Sequence, residues 1–428
     1  MPTAQALEAL LPPGAWIDAA ARRAAEAALP ELGARGMGRP VGAEARRALL
    51  FRLARRLCAR REFHAAGAIV DTLVPLVTPQ ECFLKGQILE ALGLGEALKA
   101  HLAASTAIYA GSELAALHLG MRLRHGLETD HAFLSALFGP VPQDIGAALC
   151  GLDVSRWRPP ALVAAARRLH GALPDPAPGL ADYENRFAWG IAAQVFCQAI
   201  LGAGLADDLA PLRAGLLKRI RRPGLAAPAA AARAGHSVLF ARVHAGVPSV
   251  ITRGLGPDAV DLPDISIARN VRSGPTPRGG LYLGTADFSP PQFLRILKAV
   301  RQRPHQIRIF PDGAAGDDRV PATLLGHDIT LGRGAAALAW HGRAATFFVA
   351  TRWHGTDEIE VRLVPGPVAG ATHTDQGAFE AAFHAFYIDA LSQILTGPPG
   401  DIGLLRGGTW NTVLFAPQNK GGPRPAGV

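Results

Sequence analysis

Two residues of this chain are best placed to do chemistry: a histidine that follows a short apolar run and an aspartate that ends another. His244 stands in SVLFARVHAGVPSV, with Gly246 and Pro248 close behind. Ligands of open α/β sheets gather where strands end and loops leave the sheet. A histidine there titrates near neutral pH and can serve as a general base toward a hydroxyl. The plainer alternative is a loop histidine making one structural hydrogen bond. The second candidate is RIFPDGAAGDDR, residues 308–319, where Pro311 ends a strand and delivers Asp312, Gly313 and Gly316, with Asp317 and Asp318 following. Glycines let backbone amides approach a ligand, and clustered acids could orient a cation or hold a divalent ion. They could equally cap helices and build a polar turn. The spacing matches neither an EF-hand loop nor GxxxxGK[ST], so no metal or cofactor is assigned.

A third stretch, LLGHDITLGRGAAALAWHGRAATFFVATRW (324–353), supplies Arg333 near a helix start and Arg352 and Trp353 at a strand end. Thr330 is the expected cap of that helix. Either arginine could grip a phosphate or carboxylate, or lie solvated on the surface. Trp353 could wall a site or simply cover the sheet edge.

The elements that must position these residues follow from periodicity. Strand-like runs are SVLFARV (237–243), PSVITRG (248–254), GLYLG (280–284), HQIRIFP (305–311), RAATFFVAT (343–351) and EIEVRLVP (358–365). Helical patterns at 290–303, 333–342 and 377–395 lie among the later runs. This grammar predicts an α/β fold, with a mixed, mostly parallel sheet flanked by helices.

The N-terminal part predicts an all-helical domain over 1–135. EARRALLFRLARRLCARR reads as one helix with Leu49, Leu50, Leu53 and Leu57 on one face and seven arginines, from Arg46 to Arg61, elsewhere. The arginines form a solvated basic face or dock to an acidic partner or to phospholipid headgroups. Thr78-Pro79 with Glu81 reads as a helix start. REFHAA and LGEALK open units about 33 residues apart, near the 34 of degenerate helical-hairpin repeats. Residues 136–235 read as a helical connecting region, 236–415 as the α/β domain and 416–428 as a disordered tail. Within the connecting region, 187–206 contains no charge. Two glutamines and three glycines favour a buried helix there over a membrane span.

Composition narrows the classes further. The chain has 428 residues, 49% of them hydrophobic and 18% charged, which excludes a disordered polyelectrolyte. A net charge of +9 is small for this length and does not suggest a nucleic-acid binder. The four cysteines, Cys58, Cys82, Cys150 and Cys197, form no CxxC and read as reduced thiols. No signal peptide is expected, and a cytoplasmic protein is, associated with the inner face of the cell membrane if it meets lipid.

The order of elements after residue 236 resembles the lipid A biosynthesis (lauroyl/myristoyl) acyltransferases, within the wider lysophospholipid acyltransferase fold. VHAG, with His244 and Gly246, lies on that family's histidine segment. FLRILKAVRQRPHQIRIFPDG ends on its aspartate, here Asp312. The stretch closing with the family's arginine ends here at Arg352, and Trp410 falls on its terminal tryptophan region. The family's acid stands five residues after the histidine, where this chain has Ser249, a residue that can hydrogen-bond an imidazole but supplies no charge. The resemblance implies transfer of a fatty acyl group from an acyl thioester, carried by acyl carrier protein or CoA, to a hydroxyl of a lipid or glycolipid. In it His244, Ser249 and Asp312 form the catalytic set, and Gly246, Gly313, Arg333, Arg352 and Trp353 bind substrate. The alternative is a catalytically inactive member of the fold, lacking the usual acidic partner and used for lipid binding or protein interaction. A third class is a glycan- or nucleotide-processing enzyme built on Asp312, Asp317 and Asp318.

Overall fold

A computed structural model describes residues 3–410, apart from 12–14, 16, 33–41, 110–113, 115–117, 119–120, 123–124, 129–131, 133, 136–138, 141–143, 159, 175–177, 202–208, 256–258, 269–273, 276–279, 285–289, 314–317, 372 and 404–409. The expected tail at 416–428 lies outside the described residues. The chain divides into two compact units, 1–137 and 138–428.

The first unit contains no strand among its described residues. Its helices are α1 (Thr3–Leu10), α2 (Ala19–Ala28), α3 (Ala43–Ala59), α4 (Phe63–Asp71), α5 (Pro79–Ala91) and α6 (Gly95–Ala104). Leu49, Leu50, Leu53 and Leu57 of α3 are buried with apolar residues of α1, α2 and α4, so the apolar stripe sets the helix orientation. Arg52, Arg55 and Arg56 are exposed. Arg47 departs from the expected solvated face: its Nε and Nη2 reach Glu81 Oε1 and Oε2 at 2.6 and 2.7 Å. Glu81 also completes a capping box with Thr78, which starts α5.

The second unit is α/β. Its strands are β1 (Ile220–Arg221), β2 (Ser237–Arg242), β3 (Asp264–Ala268), β4 (Gly274–Pro275), β5 (Leu281–Gly284), β6 (Gln306–Ile309), β7 (Arg319–Leu324), β8 (His327–Gly332), β9 (Ala344–His354) and β10 (Glu358–Val368). The main sheet runs β1-β10-β9-β2-β6-β3-β5-β4. Its pairs are parallel except β10/β9 and β5/β4. β2 is central and buried at every position, Ser237 and Arg242 included, and its apolar middle, 238–241, suits a strand covered on both faces.

The helices of this unit are α7 (Ile145–Cys150), α8 (Pro160–Gly171), α9 (Leu180–Leu201), α10 (Ala210–Lys218), α11 (Ala226–Arg233), α12 (Pro248–Gly254), α13 (Pro290–Gln302), α14 (Gly334–His341), α15 (Gln376–Leu395) and α16 (Pro399–Ile402). α14 and α15 pack on β9, α11 on β2, and α12 on β9 and β10.

Several expectations need correction. PSVITRG is a helix, α12, not a strand: Pro248 starts it, and Thr252 Oγ1 bonds back to Pro248 O at 2.9 Å. Thr330 lies inside β8, where its Oγ1 accepts from Arg319 Nε at 2.7 Å, and Arg333 holds the N-cap position of α14 instead. β7 and β8 form a separate hairpin that turns at Leu325-Gly326, both at positive φ. The region 136–235 is no connector. Tyr183, Phe187 and Ile191 of α9 share one core with Leu239, Ala241 and Val243, and β1 adds an edge strand. The described part of the charge-free stretch is therefore a buried helix, and no helix among the described residues is long and apolar enough to cross a membrane. All four cysteines are free.

Candidate active site at the ends of β2 and β6

β2 and β6 are parallel neighbours, with Val238 opposite Gln306 and Ala241 opposite Ile309. Their C-terminal ends therefore lie side by side, and residues 68 apart in sequence meet there. Asp312 is fully buried, and His244 keeps its side chain 15% exposed. Asp312 Oδ1 lies 2.8 Å from His244 Nδ1, while Oδ2 accepts the His244 backbone N–H at 2.9 Å. Oδ2 also accepts the Trp410 indole N–H at 3.0 Å. A carboxylate oxygen in this position accepts, so in the neutral imidazole Nδ1 carries the proton and Nε2 has the lone pair. Nε2 takes no partner among the described residues.

Neighbouring side chains fix this arrangement. The Phe310 ring centroid lies 4.4 Å from that of His244. A Cβ on Gly313 would stand 3.5 Å from His244 Cε1, so the residue after the aspartate borders the imidazole. Tyr387 is fully buried and donates to Arg242 O at 2.9 Å. Burial first, and the Asp312 charge second, hold its phenol well above the ordinary tyrosine range. It stays neutral.

The remaining expected residues divide. Gly246 serves geometry: its φ is +70°, and a Cβ there would lie 2.3 Å from Thr351 Oγ1. Its N–H is committed to Ile402 O at 2.5 Å, and that of Gly313 to Phe310 O at 3.1 Å. Neither amide remains to meet an oxyanion. Ser249 lies in α12 with its hydroxyl buried and unpartnered, so it does not bond the imidazole. The acidic partner is thus not lacking; Asp312 supplies it from the next strand. Arg352 faces away: β9 buries Thr351 and Trp353 and exposes Arg352 between them, while Thr351 Oγ1 accepts the Val247 N–H at 2.8 Å. Strand alternation puts the arginine on the face opposite the histidine loop. Trp353 packs edge-on against Trp189 at 4.9 Å, and its backbone N–H donates to Asp401 Oδ1 at 2.7 Å. Arg333, half exposed, lies 3.7 Å from both Asp318 and Glu380. Asp317 and Gly316 lie outside the described residues. Among those described, no group of three His, Cys, Asp or Glu could hold a metal ion.

Sequence reasoning passed over Arg242, Phe310 and Tyr387. All three are assigned to strand or helix interiors by their pattern, where a core role is the ordinary one. Trp410 was visible only through the resemblance. No protein-family model matches this chain, and no curated protein does.

Proposed function

We propose that the chain is an acyltransferase that moves a fatty acyl group from a thioester to a hydroxyl, with His244 as general base. The observation that carries this reading is the Nδ1 contact to buried Asp312 at 2.8 Å. It directs the basic Nε2 outward from a strand end, as a base for an alcohol requires. In the reaction Nε2 takes the hydroxyl proton while the oxygen attacks the thioester carbonyl. The tetrahedral intermediate then expels the thiolate, which recovers the proton from the imidazolium and leaves as the thiol. Asp312 stabilises the imidazolium in between. Acyl carrier protein or CoA is the donor, and a lipid or glycolipid at the inner membrane face is the acceptor. The exposed arginines of α3 provide peripheral contact with anionic lipid.

The test is thioester consumption with and without a hydroxyl acceptor, for wild type and His244→Ala. Loss of the base lowers turnover by about 10²–10⁴ with the circular dichroism spectrum unchanged. Wild-type turnover that survives His244→Ala ends the assignment of the base. No turnover from either donor across several acceptors leaves the non-catalytic, lipid-binding reading.

A further inference from the structure

Arg242, two residues before the histidine, is a buried cation that pairs with no carboxylate among the described residues. The residue is 7% exposed. Its Nη2 donates to Thr252 Oγ1 at 2.8 Å and to Pro248 O at 3.2 Å, both on α12. Its Nε is buried and has no acceptor. The described acid whose charge acts on it, Asp264, is already engaged: Arg308 grips it through Nε at 2.9 Å and Nη2 at 2.5 Å, and Gln306 adds a third bond at 3.0 Å. Two guanidiniums facing one carboxylate leave one positive charge over. Burial, and then the charge of Arg308, pull Arg242 down to about 10, which still leaves it protonated at neutral pH.

A buried charge without a counter-charge is costly, and an apolar side chain of the same size serves packing better. Such groups persist where a ligand supplies the missing charge. The position supports that use. The Phe310 ring lies 4.7 Å from Arg242 Cζ and 4.4 Å from the His244 ring, so one aromatic side chain bridges the cation and the base. We propose that Arg242 binds a singly charged oxyanion, a carboxylate or a phosphodiester, carried by the molecule whose hydroxyl meets His244. What the anion is attached to rests on the reading of His244 as base; the anion site itself stands on Arg242 alone. The unpartnered Nε–H of a planar guanidinium is suited to such an oxyanion. One negative charge completes the group and strengthens the hold on α12.

Thermal unfolding at matched ionic strength tests this with sodium chloride, sodium acetate and sodium dimethyl phosphate, on wild type, Arg242→Met, Arg242→Lys and His244→Gln. Acetate or dimethyl phosphate raises the wild-type Tm by about 3 °C over chloride, and whichever acts distinguishes carboxylate from phosphodiester. Arg242→Met loses that rise and in chloride is at least as stable as wild type, because an uncompensated charge has gone. Arg242→Lys keeps the charge but retains less than half of the rise. His244→Gln keeps the rise in full, so a chain without turnover but with this response retires the reaction and leaves the site. A wild-type Tm equal in all three salts overturns the proposal. So does an undiminished response in Arg242→Met, or a variant that unfolds well below wild type in chloride, since Arg242 is then only a clamp on α12.

Discussion

At the scale of residues, the pairing of His244 with Asp312 turns on strand order rather than on a local motif. Each was legible alone, because an apolar run that stops at a polar residue marks a strand end. Their contact was not legible. The resemblance placed the acid five residues beyond the histidine, at Ser249, whereas two parallel neighbours bring together positions 68 apart. Polar residues at the C-terminal ends of SVLFARV and QIRIF point to neighbouring or near-neighbouring parallel strands, as β2 and β6 are, but not to a direct contact of these two side chains. The two sites therefore respond differently to substitution. Asp312→Asn presents an amide where the imidazole needs an anion, loses the correct tautomer and lowers the proposed acyl transfer by about 10²–10⁴. Ser249→Ala removes a buried hydroxyl with no partner, so turnover holds and the urea midpoint stays equal or rises slightly. Steady-state rates on the two variants check this; a larger loss in Ser249→Ala than in Asp312→Asn refutes the pairing.

Elements were read best where periodicity was long. The helices at 43–59 and 376–395 and the paired strands β9 and β10 follow their patterns closely. Thr78 and Glu81 form the capping box that their spacing promised. Short elements failed for physical reasons. PSVITRG is rich in β-branched residues, yet the fixed φ of Pro248 and the back-bond from Thr252 turn it helical. DISIA, strand β3, escaped notice because polar Asp264 and Ser266 break its apolar run. Both are buried, Asp264 because Arg308 neutralises it. The arginine helix shows the same limit, since Arg47 turned inward to Glu81 while Arg52, Arg55 and Arg56 stayed outside. Those three are the residues of α3 to reverse. Changing all three to Glu lowers binding to vesicles containing anionic lipid at low salt and leaves binding to neutral vesicles unaltered. Equal binding of wild type and variant to anionic vesicles, measured by co-sedimentation, removes α3 from membrane contact.

For the whole molecule, the division near residue 137 falls well before the change from purely helical to mixed grammar, which begins with the run at 237. Proline- and glycine-rich breaks located loops well but could not say which core a helix joins, and α9 went to the sheet. Both units share one consequence of their buried polar groups. His101 and His118 in the first unit, and His305 and His384 in the second, are all pulled below the ordinary histidine range by burial. The unfolded chain protonates such histidines below a pH of about 6.5, whereas the folded chain resists until lower pH. The unfolded state then binds more protons, so stability falls as pH falls through that window. Glu81 acts further down. Burial opposes its ionisation, but the Arg47 hydrogen bond and two backbone amides outweigh that and hold it below the usual carboxylate range, so its contribution is lost only under stronger acid. Urea midpoints should therefore drop steadily from pH 7.5 to 5, before carboxylates protonate. His118, stacked on Tyr109 at 3.9 Å and 1% exposed, offers the control. His118→Phe keeps the stack and cannot take a proton, so it flattens part of the slope. Midpoints that are level across this range, or a slope unchanged by His118→Phe, contradict the linkage.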